Sequence, residues 1–305
     1  MMVKKKQFIS KFAIRQNIFG YVFLAPWLIG FLVLTAWPFL YTVFLSFHHV
    51  MLTIEGWDIS YVGIDNYHLA LFRNVVFVPA LISFTIMLLT YVPAITVIAF
   101  MLALLLNQNI KFRGLFRALF FMPVIVMSGP VMFQLRLSGG LEGATIEGTA
   151  LFIMIAQFSL PIANALAFLF ENYATVLWFT GIPIVLFLTG LQKIDEGILE
   201  AARIDSATPW QILWKITIPI IKPIAMVSVI LTIVQLAGYT ENPVLPMIND
   251  AIHLTASGLG LASTFAWIYA FLVLALIGIA FWFLRTPKDV TPPEQKRRAM
   301  AWNER

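Results

Sequence analysis

Few side chains in this sequence could do chemistry, and most of them lie in one stretch. From residue 193 to 223 the chain reads KIDEGILEAARIDSATPWQILWKITIPIIKP, which brings Glu200 and Asp205 within one and a half helical turns of each other. An isolated pair of this kind is most simply two solvated charges. Nucleotide chemistry would need a phosphate-cradling G-x-x-x-x-G-K-[ST] loop, yet the chain lacks even a Gly-Lys dipeptide. No H-E-x-x-H occurs either. His48 and His49 could be offered as metal ligands, but no third ligand is evident and an interfacial pair is the simpler reading. Gln235 differs, because it sits deep in an apolar run where an unpaired amide is costly. It must face protein or a water-filled cavity.

The elements that position these groups follow from composition. The 305 residues are 60% hydrophobic and 11% charged, with a mean hydropathy of +0.88 and no cysteine. A soluble domain is nearer half apolar and a quarter charged. This much apolar surface requires lipid as its solvent. Apolar stretches of about 20 residues, without two-residue alternation, exclude a β-barrel and predict an all-α polytopic membrane protein. Nucleic acid is not expected as a partner despite the net charge of +5; membrane lipid is.

Seven stretches are candidate spans: 19–47, 75–106, 115–135, 150–170, 174–191, 220–239 and 261–284. The 1–18 segment carries five Lys/Arg and the 285–305 tail six, so both termini are expected in the cytoplasm and the span count must be even. Segment 150–170 is the weakest candidate. It holds Gln157, Ser159, Pro161 and Asn164, and making it a span would put ten positive residues outside. Without it, 18 of the 20 Lys/Arg lie inside, and the outer segments carry eight acids against Arg73 and Arg136. Six spans are predicted, with 150–170 lying at the outer interface or re-entering.

Residues 193–219 then form the long cytoplasmic link between the fourth and fifth spans. Gly197–Ile204 is rich in helix formers. Asp205 or Ser206 is expected to cap a second helix with Pro209 in its first turn, presenting Trp210, Leu213 and Trp214 until Pro219 ends the unit. A rigid amphipathic helix–turn–helix in the cytosol is a docking element for a soluble partner.

Glu200-Ala201-Ala202, then Asp205 and Ala207, then Ile216 and Ile218-Pro219 resemble the EAA loop of ABC-importer membrane subunits. That consensus runs E-A-A, two residues, D-G-A, and closes on I-x-L-P. Ser206 stands in place of its glycine and Ile218 in place of its leucine, and the serine speaks against any need for positive φ there. FLAPWLIGFLVLTAWPFLYTVFLSF, YVGIDNYHLALFRN and FRGLFRALFFMP resemble the maltose- and glycerol-phosphate-type subfamily. The resemblance implies a type I ABC importer permease fold in the inner (cytoplasmic) membrane. It implies no cofactor in this chain, with ATP and Mg held by a partner ATPase. It also implies coupling through Glu200, Ala201, Ala202, Asp205, Ser206, Ala207, Trp210, Leu213 and Pro219. The expected partners are a second, homologous permease in a heterodimer, two ATPase subunits and an extracytoplasmic solute-binding protein.

The resemblance places the pathway on the helices flanking this loop. Around Gln235 the helical neighbours are Leu231, Gly238 and Tyr239, and the preceding span offers Trp178 and Gly181. An aromatic beside an amide suits a sugar, with its apolar ring faces and hydroxyl rim. A neutral sugar or oligosaccharide is expected before a non-sugar or anionic solute such as a glycerol phosphodiester or an acidic oligosaccharide, because the outer segments are acidic. An intramembrane enzyme would need paired acids or a metal cluster at membrane depth, and the spans hold almost no ionisable group.

Overall fold

The computed structural model describes residues 22–53, 56–108, 114, 149–239, 242–253 and 258–285. The predicted span 115–135 and both charged termini lie outside the described residues. The chain divides into two compact units, Met1–Ala80 with Val244–Tyr269, and Leu81–Pro243 with Ala270–Arg305.

In the first unit, helix α1 (Val22–Ser46) is followed by an antiparallel hairpin of β1 (His48–Thr53) and β2 (Gly56–Tyr61). His48 pairs with Tyr61 and Val50 with Ile59. Then come a short helix α2 (Asp65–His68), the start of α3 (Phe77–Asn107), α9 (Leu245–Ile252) and the first half of α10 (Gly258–Leu284). The hairpin is an addition to the expected all-α chain. The W-D-I-S-Y alternation of β2 was present, but two six-residue strands are too short to be read beside the much stronger span pattern.

A polar knot closes this unit at the end of α1. The Ser46 carbonyl accepts from Asn66 Nδ2 at 3.0 Å and from Thr264 Oγ1 at 3.1 Å. The Ser46 hydroxyl shares a 2.8 Å hydrogen bond with the Tyr67 phenol. Asn66 Nδ2 also donates to the His48 carbonyl. Gly260 of α10 rests on that same carbonyl, with no room for a Cβ. Beneath the knot Phe77 and Phe265 stack at 4.1 Å, both buried.

The second unit holds the rest of α3, then α4 (Ala150–Phe158), α5 (Leu160–Glu171), α6 (Tyr173–Leu191), α7 (Glu196–Ile204) and α8 (Pro209–Ala237). Its core joins Ala99, Ala103 and Leu106 of α3 to Ile184, Phe187, Leu188 and Leu191 of α6 and Ile221 of α8. Alanines four residues apart let helices approach closely in lipid, where packing rather than water exclusion drives association. Gly190 extends this logic, for Ile224 of α8 occupies the space that a side chain there would need.

Helices α1, α3, α8 and α10 are each long and apolar enough to cross a membrane. The 19-residue α6 passes only together with α5, from which it is bent by 87°. Segment 150–170 is itself broken at Ser159, whose extended backbone separates α4 from α5.

Two of these helices contain a π turn one residue before a proline: Leu32–Ala36 before Trp37-Pro38, and Leu213–Thr217 before Ile218-Pro219. In each, the residue preceding the proline donates across five residues, Trp37 to Leu32 and Ile218 to Leu213. Proline lacks an N–H and its ring crowds the carbonyl four residues back. Widening the turn relieves both problems, so Pro219 does not end the unit as expected. Helix α8 runs unbroken from the 193–219 link into the fifth predicted span, beginning eleven residues before the expected start at 220.

Candidate functional site

The link between α6 and α8 is fixed by two end motifs placed back to back. Asp195 caps α7 by accepting from the Gly197 N–H at 2.9 Å. At the other end of α7 the Ala207 N–H donates to the Ala202 carbonyl (2.9 Å) and the Ser206 N–H to the Arg203 carbonyl (3.0 Å). These two bonds define a Schellman C-cap, which requires a left-handed residue at its first outside position. Ser206 occupies it with φ = 60°. The serine therefore does adopt positive φ, contrary to expectation, at a cost of about 1 kcal/mol that glycine would escape.

The second helix is not capped by Asp205 or Ser206. Asp205 is the C-cap of α7, and the N-cap of α8 is Thr208, whose hydroxyl accepts from the Gln211 N–H at 3.3 Å. The Gln211 side chain returns the bond to the Thr208 N–H at 2.9 Å, completing a capping box with Pro209 at the first helical position. The signal was present as T-P-x-Q. Asp205 and Ser206 competed for it because they too are good caps and stand only two or three residues earlier.

This turn sorts the EAA residues by face. Ala202 is buried and Ala207 half-buried, the two sides of the Schellman contact, while Glu200, Ala201, Asp205 and Ser206 are exposed. Trp210 is exposed beside Trp214, their rings 5.5 Å apart; Leu213 is half-buried and Pro219 exposed. Behind the turn lies a cleft of about 730 Å³, lined among others by Asn107, Leu191, Arg203, Ala207 and Leu213. Exposed acids and indoles outside, with Ala202 and Ala207 joined within, make this turn a compact knob.

Higher on α6 and α8 the aromatic residues converge. Trp178 and Phe179 stack at 5.6 Å, and Tyr239 meets both edge-on, at 6.0 and 5.2 Å. Trp178 is half-buried and Gly181 buried. Tyr239, however, is not in the helix that carries Gln235. Gly238 is the C-cap of α8, and Tyr239 lies beyond it. Asn242 organises that exit: it is fully buried, its Nδ2 donates to the Ala237 carbonyl at 3.1 Å and its N–H to Tyr239. Sequence reading passed over Asn242 because it stands in a loop with no partner in register.

Leu231 is exposed and Gln235 half-buried. Gln235 continues a polar line that sequence reading also missed, Ser228, Thr232 and Gln235 at steps of four and three. Ser228 and Thr232 are fully buried, and the Ser228 hydroxyl has no partner among the described residues. The spacing alone could have revealed the line, since such steps fall on one helical face.

No family model matches the chain. It is 32% identical over 232 residues to a probable ABC transporter permease protein, YesP, of Bacillus subtilis, spanning 75% of this chain and 72% of that protein. It is 32% identical over 225 residues to the multiple sugar-binding transport system permease protein MsmF of Streptococcus mutans, spanning 72% and 74%. The trehalose/maltose transport system permease protein MalF of Thermococcus litoralis is 30% identical over 232 residues, spanning 73% and 74%. Among solved structures, a chain of the bacterial alginate ABC transporter in complex with an alginate pentasaccharide-bound periplasmic protein aligns over 89% of this chain and 96% of its own. The TM-score is 0.59 at 16% identity, which speaks for a shared fold.

Proposed function

Because this chain belongs to the family of ABC transporter permeases, we propose that it forms half of the translocation pathway of an ATP-driven importer for a sugar or oligosaccharide. The relatives named for sugars support the substrate class. The observation that carries the mechanism is the continuity of α8: one unbroken helix holds the capped cytoplasmic turn at one end and the Gln235 region at the other. A partner ATPase closing on ATP would push the knob at Glu200–Trp210, and the displacement would reach the Trp178–Tyr239 cluster along a single covalent element.

The pathway has one wall here, so a second, related permease supplies the other. Two ATPase subunits and an extracytoplasmic binding protein complete the assembly. In the six-span arrangement both termini lie in the cytoplasm.

Affinity purification of the full chain from its native membrane tests this reading. An ATPase subunit and a second permease should co-purify in fixed stoichiometry. The reconstituted complex should take up sugar only with ATP and the binding protein. Uptake by this chain alone, or its purification without an ATPase, would overturn it.

A further inference from the structure

The hairpin after α1 has no part in coupling or in the pathway just described, yet it leaves three apolar side chains in the open. Trp57, Ile59 and Tyr61 are 58%, 40% and 74% exposed. They alternate along β2 and so share one face of the strand, with Asp58 and Ser60 on the other. Their cross-strand neighbours His48 and Val50 lie on that same face, and Val50 is buried.

A line of rings connects this face to the membrane-crossing helix. Tyr41 stacks on Phe44 at 5.8 Å in the last turns of α1, and both are exposed on a helix long and apolar enough to cross a membrane. Phe44 stacks on His48 at 3.9 Å, and His48 meets Tyr61 at 5.3 Å. His48 is held there by a 2.7 Å hydrogen bond between its Nδ1 and the Phe44 carbonyl. The hairpin face is thus the direct continuation of an exposed side of the span. It starts two residues past the last helical residue, Ser46, and its six-residue strands reach only about 20 Å. An element so short, so close to the span end and built on Trp and Tyr is at the depth where amphipathic rings settle.

We propose that the Trp57–Ile59–Tyr61 face of the hairpin is a lipid-binding ledge resting in the headgroup layer of the outer leaflet, with Asp58 and Ser60 turned to water. The polar knot at Ser46 fixes the ledge to α1, so its contact with lipid sets the height of that helix in the bilayer.

The chain lacks cysteine, which makes the test direct. Trp57→Cys, Asp58→Cys, Ile59→Cys and Ser60→Cys are labelled singly with a nitroxide in the assembled complex, its other subunits free of reactive cysteine, in phosphatidylglycerol/phosphatidylethanolamine bilayers. Collision rates are measured with oxygen, which concentrates in lipid, and with a nickel chelate, which stays in water. Residues 57 and 59 should favour oxygen several-fold and residues 58 and 60 the nickel chelate. Access of nickel to all four would show a hairpin standing in water and overturn the proposal. Low access of both probes to 57 and 59 would show a protein surface covering them, and would overturn it equally. Sugar uptake by the labelled complexes reports separately on the transport reading.

Discussion

The Ala207 amide reaches back across five residues to the Ala202 carbonyl at 2.9 Å, and this bond explains the spacing of the EAA residues. Ala202 and Ala207 are the two ends of a Schellman motif, and the residue between Asp205 and Ala207 must be left-handed. Ser206→Gly should leave ATPase stimulation intact and raise the thermal stability of the turn, by about 1 kcal/mol at most. Ser206→Val places a β-branched side chain at φ = 60°. It should abolish stimulation while the protein still inserts. Equal behaviour of the two variants would remove the role assigned to that backbone.

Glu200→Lys combined with Asp205→Lys should abolish substrate-stimulated ATPase of the assembled complex and leave membrane insertion unchanged. Both side chains are exposed, so neither replacement disturbs a packed contact. Wild-type stimulation in the double variant would show them to be ordinary solvated charges.

Gln235→Leu should lower uptake several-fold and weaken solute stimulation of ATPase, with the complex still assembling. Normal transport would reduce Gln235 to a contact between helices. Ser228→Ala offers a control on the same line, since its buried hydroxyl has no partner among the described residues. It should cost little stability, because no hydrogen bond is lost.

The helical, membrane-crossing character of the chain and the two helices of the 193–219 link were legible in sequence because they rest on strong signals, apolar runs of about 20 residues and stretches of helix formers, while the cap of the second helix at Thr208 was not. Trp178 and Tyr239 were both singled out, but as neighbours of Gln235, and their edge-on contact was not foreseen because Tyr239 lies beyond the helix end. The His48–Tyr61 hairpin, the buried Asn242 and the π turns were not legible. Each depends on contacts or hydrogen bonds between residues whose types admit several conformations. Pro219 was misjudged as a terminator for the same reason, for nothing in I-P-I-I announces the widened turn that accommodates it.

Segment 150–170 is expected to stay on the outer side. In this cysteine-free chain, Glu147→Cys and Asn172→Cys should both react with an impermeant thiol reagent applied from outside. Reaction at 147 alone would add a span and invert the orientation of everything after it. The 87° bend into α6 and the break at Ser159 are what a segment returning to its own side would need.

Gly260→Ala should destabilise the complex by about 1–3 kcal/mol, because its Cβ would run into the His48 backbone carbonyl and not into a yielding side-chain end. Thermal unfolding of the purified complex measures this. Gly190→Ala is the milder counterpart, since Ile224 Cδ1 can rotate aside. If Gly260→Ala unfolds at the wild-type temperature, the hairpin does not pack on α10 as closely as described.

The π turn at Leu213–Thr217 also resets the angular phase of α8. It amounts to one extra residue wound into the helix, and each residue of an α-helix advances the face by about 100°. Counted at the ordinary period from Trp210, Gln235 would therefore point roughly a quarter-turn away from its true azimuth. The π turn thus sets the angle between the face that carries Trp210 and the face that carries Gln235. Deleting a single residue from 213–217 would restore the plain period and turn Gln235 by about 100° relative to Trp210.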